Sequence, residues 1–150
     1  MPIDGHGDKW LRSFVPYLLY RASNQLNQRI RNRLRKSGVN LARWRVLAVL
    51  RAYGRLNLGQ IVELTVMQQP SVSRIVTQLE REGLAKRSVS KKDSRVVYVA
   101  LTAAGVRAFN EIYPTAQRHQ EHALSGFTKK EINTLTGFLR RIQDNIEAYK

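Results

Sequence analysis

No cysteine occurs anywhere in this 150-residue chain. That excludes disulfides, thiolate metal sites and cysteine-based redox switching. Histidine is scarce as well, at positions 6, 119 and 122. His119 and His122 stand three apart on an expected helix, a spacing that can hold a metal edge-on. Two imidazoles without further ligands read as a solvated helix face, so no metal or cofactor is expected. Long apolar runs are missing too, and no membrane span is expected. Residues 1–8 have no apolar h-region, so no secretory signal is expected and a cytoplasmic location is the default. The sequence shows no Ser-His-Asp order, paired carboxylates, phosphate-cradling glycine loop or metal-ligand spacing, and an enzyme is not expected.

Acidic side chains are also few, 11 against 26 lysines and arginines, which leaves a formal charge of +15. So large a positive field favours a polyanionic partner, because phosphates release condensed counterions when cations neutralise them. Solubility alone is the plainer use of such a charge. The charge is uneven: +10 over residues 1–56, +3 over 57–100 and +2 over 101–150. Its densest run is Arg29, Arg31, Arg33, Arg35 and Lys36. With 43% hydrophobic residues the chain can still bury a core, and its length suits one domain.

From residue 11 to 36, Leu11, Val15, Leu18, Ala22, Leu26, Ile30 and Leu34 recur every three or four positions. That spacing marks one face of a long helix, which Gly38 ends. Pro16 belongs near its start and kinks it if the helix begins earlier. Asn40 is an expected N-cap for a second helix over residues 41–52, closed by Gly54. A short helix over 58–65 follows, then a brief link over 66–69. Pro70 suits the first position of the next helix, with Gln69 as a weak cap. That helix runs to about residue 82, with Val72, Ile75, Val76 and Leu79 inward and Gly83 as its stop.

Residues 84–89 and 96–101 are short and β-prone, joined by a polar turn, and predict a two-stranded hairpin with a charged tip. Thr102 caps a helix over about 103–125, in which Pro114 predicts a bend. Thr128-Lys129-Lys130-Glu131 is a capping box for a last helix striped by Ile132, Leu135, Leu139, Ile142 and Ile146. The expected fold is mainly α with a small β-hairpin. The terminal helices carry more apolar surface than one subunit readily covers, which predicts a two-fold homodimer; the alternative is that they fold back on their own chain.

Residues 57–105 carry the functional reading. A helix that starts with Ser71, Ser73 and Arg74, and continues with Thr77 and Gln78, can enter a DNA major groove. Arg74 can present its planar fork to guanine O6 and N7, or take a phosphate. The hydroxyls of Ser71 and Ser73 suit phosphates best. Lys86, Arg87, Lys91 and Lys92 are candidate phosphate anchors in the basic hairpin. The 29–36 run either touches flanking phosphates or is a solvated face.

In order and spacing, three stretches resemble the MarR (multiple antibiotic resistance regulator) family of winged-helix transcription factors. They are Gln69-Pro70-Ser71-Val72-Ser73-Arg74 with its continuation to Leu84, Asp93-Ser94-Arg95, and Leu101-Thr102-Ala103-Ala104-Gly105. The resemblance covers nearly the whole chain, from about Trp10 to Tyr149. It implies a winged helix-turn-helix over 37–105, with residues 1–36 and 106–150 forming a helical dimerisation region of one continuous domain. It implies a homodimer on a palindromic double-stranded DNA operator, often a repressor released by a small phenolic or carboxylate ligand. By that analogy Ser71, Ser73 and Arg74 face the major groove. Arg95 matches the wing arginine that enters the minor groove, where A·T-rich sequence enhances the negative potential. Asp93 matches the acid that holds this arginine; a surface salt bridge is the plainer alternative. Pro70 departs from the small polar residue commoner at the helix start.

Tyr17, Tyr20, Arg21, Trp44 and Tyr113 could line a pocket for an aromatic carboxylate or a related thioester, or serve as core. A non-specific architectural DNA-binding protein is the main alternative function. An RNA-binding or membrane-surface module driven by the 29–36 run is a third.

Overall fold

A computed structural model describes residues 9–149. The expected absence of a secretory signal in residues 1–8, and His6 with it, lies outside the described residues. The elements are α1 (Lys9–Ser13), α2 (Val15–Lys36), α3 (Leu41–Tyr53), β1 (Leu56–Asn57), α4 (Leu58–Thr65) and α5 (Gln69–Arg81). They continue with β2 (Ala85–Val89), β3 (Val97–Leu101), α6 (Ala103–Ala123) and α7 (Lys129–Glu147). The described residues divide into two compact units between Ala116 and Gln117, within α6. Among them, no helix is long and apolar enough to cross a membrane.

The long first helix is interrupted rather than continuous. Phe14 is extended at φ −77°, ψ 103°, and α2 restarts with Pro16 in its first turn. Pro16 has no amide to offer the carbonyl of Arg12, so the ladder fails where sequence periodicity alone runs on. Asn40 caps α3 as expected, its Oδ1 accepting from the Arg43 amide at 2.7 Å. Gly54 ends α3 in a positive-φ conformation. The cap of α5 is Gln68, one residue earlier than expected, and Pro70 falls inside the first turn. The turn between α4 and α5 passes through Val66 at φ 54°, ψ 41°, a left-handed conformation rare for a β-branched residue.

The hairpin is part of a three-stranded antiparallel sheet ordered β1-β3-β2. In it Leu56 pairs with Val99 and Asn57 with Tyr98, while Ala85 pairs with Leu101. Asn57 and Gln60 also form a capping box that opens α4. Val72, Ile75, Val76 and Leu79 of α5 meet Leu34, Val46, Leu47, Leu50, Ile61 and Val99 in a single buried cluster. These features make the first unit a winged helix-turn-helix, with α4 and α5 as the helix pair and β2–β3 as the wing.

In the first unit, α6 starts from Thr102, whose Oγ1 accepts from the Gly105 amide at 3.1 Å. The same hydroxyl donates to the Gly83 carbonyl at 2.6 Å, and the Thr102 amide donates to Leu84 O at 3.0 Å. A Cβ on Gly105 would stand 1.9 Å from that Leu84 oxygen. The stretch from Leu101 to Gly105 therefore ties the wing to the end of α5. α6 continues past Pro114 to Ala123. In the second unit, Thr128 and Glu131 make the expected capping box, the Thr128 amide donating to Glu131 Oε2 at 2.7 Å. No residue of α7 is buried.

Candidate nucleic-acid interface

The buried stripe of α5 fixes which of its side chains face outward. With Val72, Ile75, Val76 and Leu79 inside, Ser73, Arg74, Thr77 and Gln78 line an open groove along the outer face, joined by Pro70 and Arg81. Ser71 lies on the flank turned toward α3. All five helix residues expected from sequence are thus on the accessible side of one helix. Arg81, a turn beyond Gln78, escapes the sequence reading because that reading seeks contacts at the start of the helix and Arg81 stands at its end. Arg74 is exposed and among the described residues makes no ion pair, which leaves its five donors available.

The wing positions a second cation. Ser90 Oγ accepts from the Lys92 and Asp93 amides, and Asp93 Oδ1 accepts from the Arg95 amide at 3.0 Å. The same oxygen accepts from Arg95 Nε at 3.3 Å. Asp93 therefore orders the turn and orients the arginine it carries, while the Arg95 side chain remains 90% exposed. Lys91 and Lys92 are exposed at the same tip, and Lys86 along β2.

Arg87 is placed differently from a free phosphate anchor. Its guanidinium pairs with Glu80 and donates to Thr77 Oγ1 at 3.1 Å, both on α5. It braces strand against helix and aligns Thr77. Sequence reading could not find this, since Glu80 and Arg87 belong to different elements. A second brace joins α3 to the end of α5: Arg43 forms a two-pronged pair with Glu82, one prong at 2.9 Å. Hydrogen bonding from Arg43 holds the Glu82 carboxyl below the usual glutamate range, against a smaller opposing effect of burial. The Glu131 carboxyl is lowered as well, chiefly by the Thr128 amide.

The five residues expected to line a ligand pocket fall into separate groups. Trp44 and Tyr113 are brought together through Phe109, with ring centroids at 5.2 and 5.3 Å, and Arg51 lies 5.9 Å from the Phe109 ring. Arg21 lies 5.8 Å over Tyr17, while Tyr20 is exposed. Among the described residues no ring or cation–π contact joins these two groups. Phe109, the centre of the stack, escapes the sequence reading because it looks like one more apolar position of α6. A cleft of about 220 Å³ lies nearby, lined by Val39, Arg43, Leu47, Ala108, Glu111 and Ile112. It includes none of the five.

This geometry has close counterparts. A family model described as MarR family matches residues 37–96, the winged core. A MarR family transcriptional regulator from Silicibacter pomeroyi is 33% identical, with 96% of this chain and 97% of that one covered at a TM-score of 0.84. The HTH-type transcriptional regulator MhqR of Bacillus subtilis is 27% identical over 142 residues, 95% of this chain and 97% of the relative. BpsR of Bordetella bronchiseptica, whose DNA binding is described as regulated by 6-hydroxynicotinic acid, is 26% identical at a TM-score of 0.74. That match covers 86% of this chain and 98% of BpsR. A helix-turn-helix with its outer face open, a wing carrying an oriented arginine, and near-full-length likeness to such regulators give one answer: this chain belongs to the MarR family of DNA-binding transcriptional regulators.

Proposed function

We propose that the protein is a homodimeric repressor that binds a palindromic operator and is released by a small aromatic carboxylate or related thioester. The reading is carried by one observation: an exposed Arg74 on the outer face of α5 stands in the same unit as a wing whose Arg95 is already oriented by Asp93. Two probes of this kind per subunit suit a duplex, with α5 in the major groove and the wing in the minor groove. Ser71, Ser73, Thr77 and Gln78 accompany Arg74; Lys86, Lys91 and Lys92 take flanking phosphates. Arg87 contributes by aligning Thr77 and strand β2.

The dimer is supported by apolar side chains on the terminal helices that the described chain leaves uncovered. Phe14, Leu18 and Leu26 at one end and Leu135, Phe138 and Leu139 at the other are all exposed. In this reading residues 1–36 and 106–150 form the dimerisation region, and a symmetric dimer sets the spacing of two operator half-sites. The effector is supported by the relative whose DNA binding responds to an aromatic carboxylate, and by the Trp44–Phe109–Tyr113 stack with Arg51 beside it. The reading assigns no catalysis and places the protein in the cytoplasm with DNA.

The test is selection of duplexes from a random-sequence library, followed by competition with bulk DNA at fixed salt. A preferred palindrome bound at least about a thousandfold more tightly than bulk DNA is expected. Equal binding to all duplexes would instead make the protein an architectural DNA-coating protein, the use that +15 alone would serve. On the selected duplex, Arg95→Ala weakens binding strongly with the fold intact. Arg74→Ala narrows the preference for the palindrome, whereas a proportional loss on every sequence would make Arg74 a phosphate ligand.

A further inference from the structure

Three arginines from three different helices converge on a second groove that, among the described residues, has no carboxylate on its walls. Arg31 of α2, Arg45 of α3 and Arg74 of α5 line a cleft of about 390 Å³, together with Asn40, Ser71 and Gln78. Each arginine sits next to a buried aliphatic residue on its own helix: Ile30, Val46 and Ile75. The core therefore fixes where the three side chains start. Arg45 is held further, its guanidinium donating to Asn27 Oδ1 at 3.0 Å. Among the described residues neither Arg31 nor Arg74 has an acidic partner. The cleft therefore gathers three like charges with no carboxylate among its described lining residues.

We propose that this cleft seats a DNA backbone phosphate flanking the bases read by α5, with Arg31 and Arg45 as its ligands and Arg74 shared between phosphate and base groove. The inference rests on the DNA-binding reading above. Arg74 and Gln78 line both this cleft and the open groove on the outer face of α5, so the two surfaces are continuous across the helix. A duplex that receives α5 in its major groove brings one strand of its backbone past that shared edge. Two rigidly started guanidinium forks then meet phosphate oxygens in the geometry they bind best. The first turn of α3 adds the positive end of its dipole through Leu41 and Ala42. The cleft also sorts the basic run on α2: Arg31 lines it, while Arg29, Arg33, Arg35 and Lys36 do not.

The test measures affinity against salt for the duplex the wild-type protein selects from a random library, comparing wild type with an Arg31→Gln, Arg45→Gln double variant. Every phosphate that is no longer neutralised lowers the slope of log K on log salt by about 0.9, so a fall of about 0.9 is expected for the one phosphate the cleft seats. The ratio of affinities for the selected and a scrambled duplex stays unchanged, because phosphates carry no sequence. An unchanged slope with an unchanged thermal midpoint overturns the inference. Should the double variant unfold, Arg31→Glu carries the test alone: Arg31 is exposed, and charge reversal there lowers both slope and affinity. Arg31→Lys with Arg45→Lys retains most of the slope. Calorimetric titration with pyrophosphate gives the second arm. Micromolar binding that the double variant loses, with the DNA slope unaltered, would make the cleft a small-anion site and overturn the assignment to DNA. If no duplex is preferred at all, the regulator reading fails, while the salt slope on any duplex still reports on the cleft.

Discussion

α5 and α7 have the same amphipathic design and opposite fates. Both carry aliphatic residues every three or four positions. On α5 Val72, Ile75, Val76 and Leu79 are all buried within their own unit. On α7 no residue is buried, and Leu135, Phe138, Leu139 and Ile146 stand exposed. The periodicity of a helix shows that one face seeks cover; it does not show what supplies the cover. The winged core finds it in its own sequence, so the packing of α5 is complete in one chain. The face of α7 depends on something further, which the proposed dimer provides.

Two helical glycines break this comparison most sharply. An added Cβ at Gly105 would stand 1.9 Å from Leu84 O, a backbone atom that cannot step aside. Gly105→Ala must separate the start of α6 from the end of α5, with an expected loss of about 3 kcal/mol or more. At Gly137 in α7 an added Cβ meets nothing within 4 Å. Gly137→Ala is expected to stabilise by about 0.5–1 kcal/mol, because alanine loses less backbone freedom in a helix. Denaturant midpoints for both variants check the opposite signs. A tolerated Gly105→Ala would show that the wing is not held by this close approach.

Single core and surface side chains make the same contrast at a smaller scale. Leu79 is fully buried, and Leu79→Ala is expected to cost about 2–5 kcal/mol whatever the protein concentration. Phe138 is 53% exposed, so Phe138→Ser barely alters the isolated chain. Under the dimer reading it instead weakens assembly, and the thermal midpoint of the variant loses the rise with concentration that the wild type shows. Sedimentation and melting over a concentration series separate the two. A concentration-independent wild type with the mass of one subunit would leave α7 without its proposed cover.

How much of this is legible in the sequence follows the distance over which each signal acts. The bounds of α4, the Asn40 cap, the Thr128–Glu131 box and the Asp93–Arg95 pairing all lie within a few residues, and each is where local chemistry puts it. Strand β1 is invisible to pattern reading: two residues are too few to show alternation, and the pairing partners Tyr98 and Val99 are more than forty positions away. The Arg43–Glu82 and Arg87–Glu80 braces, and the meeting of Arg31 with Arg45 and Arg74, join different elements and carry no spacing to read. The break at Phe14 is half legible, since Pro16 marks it but the apolar stripe runs straight past.

The helix-turn-helix corner offers a smaller perturbation. Val66 holds a left-handed conformation while 91% exposed, so it accepts backbone strain without recovering it by burial. Asparagine adopts that conformation far more readily than a β-branched residue. Val66→Asn is expected to raise stability by about 0.5–1 kcal/mol without changing the terminal helices. A chemical-denaturation curve is enough to see it. If DNA affinity falls while stability rises, the strained turn is aiding the placement of α5, a link between strain and function that α7 lacks.

The smallest expected effect is the pH response of the brace between α3 and α5. The Glu82 carboxyl is held below its ordinary value, chiefly by hydrogen bonding from Arg43. A carboxyl lowered in the folded state binds fewer protons there than in the unfolded chain. Its contribution is therefore complete above the ordinary glutamate value of about 4.3 and is lost as pH falls through the lowered folded value. Because Glu82 is 40% exposed, solvent screening keeps the pair below about 1 kcal/mol. Glu82→Gln should then be slightly less stable than wild type near neutrality, and the two should converge as the solution is acidified below pH ~4. Glu131 titrates in the same direction at the start of α7, and its lowered value survives in the Glu82 variant. What remains of the acid sensitivity in Glu82→Gln includes that second cap. A wild type and variant that stay parallel down to pH ~3 would show that the brace adds nothing to the winged core.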